Sequence, residues 1–73
     1  MRNIETLIDE GGNISVGRLD PFDCVAAAAD DHICLAMLVR RDGETLSALL
    51  KRLDKAVGMA WSDDVFTDEV NER

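Results

Sequence analysis

Tyrosine is absent from this 73-residue chain, and only Phe22, Trp61 and Phe66 are aromatic. A core here must therefore be assembled from Leu, Val, Ile, Met and Ala, which are small to medium in volume. Two cysteines, Cys24 and Cys34, are too few for a disulfide scaffold. The opening MRNIETLIDE lacks the apolar centre of a secretory leader. Long apolar runs are missing as well: the longest, Ile33 to Val39, has seven residues, against the roughly 20 that span a bilayer. These absences point to a cytoplasmic protein with reduced thiols. Positive charge is also scarce, with 8 Lys and Arg against 15 Asp and Glu and a formal net charge of -7. The field of the whole molecule thus repels phosphate backbones.

What is present suits a small globule. Hydrophobic residues make up 47% of the chain, which is ample, but a domain of this size buries only about 60% of its unfolded surface. Natural proteins near this length add disulfides, a metal or a second subunit, and a homodimer is the simplest remedy here. The charges are unevenly placed. Residues 1–31 hold seven acids and two bases, residues 32–60 three acids and five bases, and residues 61–73 five acids and one base.

Leu46, Leu49, Leu50, Leu53, Val57, Ala60 and Trp61 recur at steps of three and four, so they share one stripe of a 3.6-residue helix. The spacing predicts a helix over about 44–61, capped by Asp42 or Thr45, with Glu44 favourable at the positive end of its dipole. Lys51, Arg52 and Lys55 fall on the opposite, wetted side. Before it, the run from Ile33 to Val39 reads as a strand covered on both faces. Ile33, Leu35, Met37 and Val39 share one side. Cys34, Ala36 and Leu38 form a smaller side, which a helix can approach closely.

The stretch CVAAAADD admits two readings. Asp20-Pro21 followed by alanines resembles a helix start, whereas Asp30-Asp31 between apolar runs resembles a hairpin turn. We adopt a hairpin over about residues 24–40, because a strand buried on both sides needs a neighbour. A two-residue turn sets Ala29 against His32 and Ala27 against Cys34, which puts Cys24 and Cys34 on opposite faces and precludes a bridge. Ile4, Leu7 and Ile8 before Gly11-Gly12 suit a short helix with a glycine stop, or else an edge strand. Ile14 to Leu19 alternates as a half-exposed strand. The tail SDDVFTDEVNER is acidic and either docks as a short element or waits for a partner to order it.

Chemistry-bearing patterns are weak. Asp30, Asp31, His32 and Cys34 are metal-ligand types, but a structural zinc site needs four ligands and no second pair has suitable spacing. Cys24 or Cys34 with the lone His32 has no electropositive surroundings to form a thiolate. Gly11, Gly12 and Gly17 lack the spacing and the lysine of a phosphate loop. No catalytic residue, metal, cofactor or small-molecule substrate is expected. The strand, the RRDGET join and the capped helix resemble the strand-to-helix segment of ribbon-helix-helix regulators and antitoxins, over about 30 residues and with no specific motif. That resemblance implies a strand paired across a dimer and phosphate contacts from Arg40, Arg41, Lys51, Arg52 and Lys55, although the strand offers no Arg, Asn or Gln to read bases. An acidic DNA mimic is a further alternative.

The resulting expectation is an α+β protein: a small antiparallel β-sheet packed against one long amphipathic C-terminal helix. Residues 1–61 form a single small domain, followed by an acidic tail over 62–73. The expected role is a non-enzymatic interaction module, a homodimeric bacterial accessory or regulatory protein. Its expected contact groups are Leu35, Met37, Trp61 and Phe66, and the acidic tail offers a second protein contact.

Overall fold

A computed structural model describes residues 1–71. The chain is α+β, running α1 (Arg2–Asp9), β1 (Asn13–Leu19), β2 (Phe22–Ala29), β3 (Cys34–Val39), α2 (Leu46–Asp63) and β4 (Thr67–Asp68). The four strands form one sheet in the order β1-β2-β3-β4. The first three are antiparallel neighbours, and β4 lies parallel to β3. No helix among the described residues is long and apolar enough to cross a membrane.

Both helices pack on one face of the sheet. Ala26 and Ala28 of β2 stand opposite Leu38 and Ala36 of β3. All four are buried with Leu49, Leu53, Ala56, Val57 and Ala60 of α2 and with Ile4 and Leu7 of α1. Small residues at the strand positions let the helix lie close, as the smaller side of β3 predicts. The helix begins two residues later and ends two later than its spacing suggests. Thr45 is the cap, its hydroxyl accepting from Ala48 N–H at 3.0 Å. Leu46 and Trp61, the ends of the predicted stripe, are exposed.

The short helix with a glycine stop is present as α1. Gly11 N–H donates to the Ile8 carbonyl and Gly12 N–H to the Leu7 carbonyl, the paired bonds of a Schellman ending. Gly11 sits at φ 93, in the left-handed region. The other end of α1 has no side-chain cap of its own. Instead Asp54 of α2 reaches across, its Oδ1 accepting from Ile4 N–H at 2.9 Å, while Asn3 Nδ2 donates to the Asp54 carbonyl. An otherwise orphaned helix donor is thereby satisfied by the neighbouring helix.

Three local readings require correction. Asp20-Pro21 does not start a helix; its cis peptide forms the turn between β1 and β2, where Leu19 pairs with Phe22. The β2–β3 hairpin is present, but its loop spans residues 30–33, and Ala29 pairs with Cys34 and Ala27 with Met37. Asp30 causes the longer loop: its Oδ1 accepts from the N–H groups of His32 and Ile33, and its own N–H donates to the Ile33 carbonyl. Such a side-chain turn outcompetes a two-residue connection. Both thiols are free, Cys24 near the Arg40 end of the hairpin and Cys34 at the Ala29 end.

The third correction concerns Leu35. Ala28 pairs with Ala36 and Ala29 with Cys34, so Leu35 is an extra residue in β3. Strict alternation breaks at such a bulge, and Leu35 joins Ala36 and Leu38 in the helix-packed core instead of siding with Met37 and Val39. Past α2, the acidic segment docks: Thr67 pairs with Ala36 and Asp68 with Met37.

Candidate functional site

With both helices on one side, no helix among the described residues covers the other side of the sheet. Register and alternation place Ser15 and Gly17 of β1, Val25 and Ala27 of β2, Met37 and Val39 of β3, and Asp68 of β4, the partner of Met37, on this open face; Val25 is itself buried there. Its centre is built from Gly, Ser and Ala, which leaves a shallow depression of about 270 Å³ lined by Ser15 to Leu19, Val25, Ala27 and Met37. None of those residues is acidic, although 15 of 73 residues in the chain are. Arg18 at the rim is paired with Asp20 at 2.9 Å.

The four expected contact groups do not gather on one surface. Met37 lies on the open face. Leu35 is 2% exposed in the chain's own core, so it presents nothing to a partner. Trp61 is exposed near the end of α2, which packs on the other side of the sheet, and Phe66 is exposed in the connector to β4. Val25 and Ala27 were not expected as contact groups from the sequence, because the unbroken run of small and apolar residues over 24–29 carries no alternation from which a face can be read.

The cations expected to contact phosphate occupy a different place. Arg52, expected to be wetted, is three-quarters covered and organises an ionic junction. Its Nε donates to Glu44 Oε2 at 2.7 Å, Nη1 to Glu69 Oε2 at 3.0 Å, and Nη2 to both Glu44 Oε1 and the Val39 carbonyl. Glu44 Oε1 also accepts from Arg41 N–H, and Glu69 Oε1 accepts from Val39 N–H. The hydrogen bond from Arg52, then that from the Arg41 backbone, brings the Glu44 carboxyl down to about 2 from an ordinary 4.5. The same bond to Glu44 raises Arg52 above its ordinary value. Arg40 donates to the Glu44 carbonyl, and Arg41 lies 3.9 Å from Glu69. Of the five candidate phosphate contacts, four stay exposed, Arg40 and Arg41 before α2 and Lys51 and Lys55 on it. β3, the strand that the ribbon-helix-helix resemblance would pair across a dimer, is flanked by β2 and β4 of its own chain.

A larger cleft of about 620 Å³ opens between residues 21–24 and 39–45. It includes Cys24, but the lone His32 lies in the hairpin loop, so thiol and imidazole do not meet there. Asp30 is occupied by its turn, and its carboxyl is held below the ordinary range, first by the Ile33 backbone N–H and then by that of His32. Among the described residues, no three His, Cys, Asp or Glu side chains are grouped to hold a metal ion. No family of proteins, no curated protein and no solved structure was found to match the chain.

Proposed function

We propose that this chain is a non-enzymatic interaction module that self-associates as a homodimer through the open face of its sheet. One observation carries the reading: the depression beside Ala27 and Met37 has no acidic residue in its lining and no helix packed over it among the described residues, in a chain of net charge -7. Two copies of so acidic a chain repel one another over most of their surface, and this depression lets them meet with Asp68, the neighbour of Met37, left at the margin of the contact. The molecule measures 30 × 23 × 20 Å. Any one face therefore offers roughly 450–700 Å², near the ~800 Å² per partner of a standard interface. The role is that of an accessory or regulatory protein of the bacterial cytoplasm, with Met37 as its central contact.

Sedimentation equilibrium tests this directly. The expected mass is twice the 8.0 kDa of one chain, falling to one chain on Met37→Glu or Ala27→Glu, each of which places a charge in the apolar contact. A wild-type chain that remains monomeric at ~1 mM, where even a weak interface of about 4 kcal/mol is half occupied, would remove the proposal. So would a dimer that survives both substitutions.

A further inference from the structure

The C-terminal segment occupies the outer edge of β3 sparingly. β4 pairs with only Ala36 and Met37 of the six residues in β3, and Glu69 N–H adds one bond to the Met37 carbonyl at 2.8 Å. The segment then turns away, because Asp68 Oδ1 accepts from the N–H groups of Val70 and Asn71 and Oδ2 accepts from Asn71 Nδ2. Glu69 substitutes for the missing strand: its carboxylate accepts Val39 N–H, which a longer strand would take with its backbone, and ties itself to Arg52. A depression of about 230 Å³ lies beside it, lined by Leu38, Arg52, Lys55, Ala56, Met59, Thr67 and Glu69. The connector leaves α2 through Asp64 in the left-handed region at φ 54, a conformation uncommon for a residue other than glycine. Val65 and Phe66 of the connector are exposed.

From this we infer that the β3 edge, together with Arg52, is a docking site for an extended acidic peptide of another protein, which the chain's own residues 67–69 fill in its absence. The fit is defined by the resident segment. The peptide runs parallel to β3 and places a small polar side chain where Thr67 pairs with Ala36. It places a glutamate where Glu69 meets Arg52. A peptide without the Asp68 turn continues along the edge to Val39 and gains ladder bonds that the resident segment forgoes. Lys55, exposed on the same flank, is available to a second carboxylate of the peptide. This inference does not rest on the dimer, since it concerns the edge of the sheet and not its open face.

The probe is a fluorescent peptide with the sequence of residues 64–71 carrying Asp68→Val, titrated into the full chain and read by anisotropy. It is expected to bind the Glu69→Gln chain at least tenfold more tightly than wild type, because the competing segment is weakened. The same peptide with its own Glu69→Gln loses at least tenfold, the loss of a charge-assisted bond. Equal affinity for both chains, indifference to the peptide's glutamate, or no binding at 1 mM to a folded Glu69→Gln chain would each overturn the inference. Amide exchange on the unaltered wild-type chain gives an independent reading: Glu69 and Val39 N–H groups should exchange faster than Leu53 N–H, by local opening. Equal protection would show that the segment never leaves. A dimer abolished by Glu69→Gln would assign the edge to a second copy's tail, and so exclude a different protein as the occupant.

Discussion

Leu53→Ala tests the orientation of α2 most directly. Leu53 is fully buried and sits among twelve clustered residues, five of which are alanine. The remaining large side chains in that cluster are Ile4, Leu7, Leu35, Leu38, Leu49 and Val57. They come from both helices and from β3, and each is held by its own element, so the space left by Leu53 cannot readily collapse. Such truncations cost about 2–5 kcal/mol, with poorly collapsing sites toward the upper part. We expect about 3–4 kcal/mol, against a stability of roughly 4–11 kcal/mol for a domain of this length. At about 4–8 °C per kcal/mol for small domains, the melting temperature should fall by roughly 12–30 °C. Leu46→Ala, on the same helix and of identical chemistry, is the control. Leu46 is 47% exposed, and its truncation should cost below about 1 kcal/mol. Urea titrations followed by circular dichroism, run dilute enough to keep the chain monomeric, measure both. Equal losses for the two variants, or a Leu53→Ala chain within about 1 kcal/mol of wild type, would refute the inward-facing seam.

Acid should weaken the ionic junction over a defined window. Glu44 has a folded value of about 2 against an ordinary 4.5, so its contribution is present above pH 4.5 and is lost as pH falls from there toward 2. The urea midpoint of wild type should drop across that window, and Glu44→Gln should show a smaller drop; parallel curves would contradict the assignment. Asp54→Ala removes the acceptor for Ile4 N–H and should cost about 1 kcal/mol, as loss of a helix cap does, with faster amide exchange confined to α1. Unchanged α1 amides would show that the cross-helix cap contributes nothing. Lys51→Ala combined with Lys55→Ala should leave stability within about 0.5 kcal/mol of wild type, and a larger loss in thermal melts would mean that these exposed lysines pack.

Where side-chain spacing alone decides structure, the sequence was a sufficient guide. Leu49, Leu53 and Val57 place α2, Gly11-Gly12 ends α1, and the small side of β3 receives the helix. Failures occur where one side chain redirects the backbone. Asp30 adds two residues to the hairpin loop, which shifts every β2–β3 pair, and the bulge at Leu35 then moves that residue from the open face into the core. Local preference cannot reveal the bulge, because it depends on how two strands settle against each other. That Met37 faces away from the helices was legible, since the alternation from Met37 to Val39 holds beyond the bulge. Arg52 was misplaced because the partners that cover it, Glu44 and Glu69, lie 8 and 17 residues away and outside the helix.

The distribution of charge along the chain acquires a physical explanation from that junction. In the sequence, a basic middle and acidic ends read as a wetted helix face beside a tail that either docks or waits for a partner. In the folded chain, one of the bases of the middle meets an acid of the tail at Arg52 and Glu69, with Glu44 as the third member. An arginine forks two ways here, holding the β3–α2 loop with one side of its guanidinium and the C-terminal segment with the other, a task a lysine's single ammonium performs less well. Segregated charge thus directs the last residues onto the edge of β3. Once residues 67–69 leave, Arg52 and the freed backbone of the β3 edge would recognise an acidic strand from elsewhere. Arg52→Lys should therefore retain the core, as judged by Leu53 amide protection, while loosening residues 67–69; equal loosening of both would mean the junction supports the whole domain rather than a detachable edge.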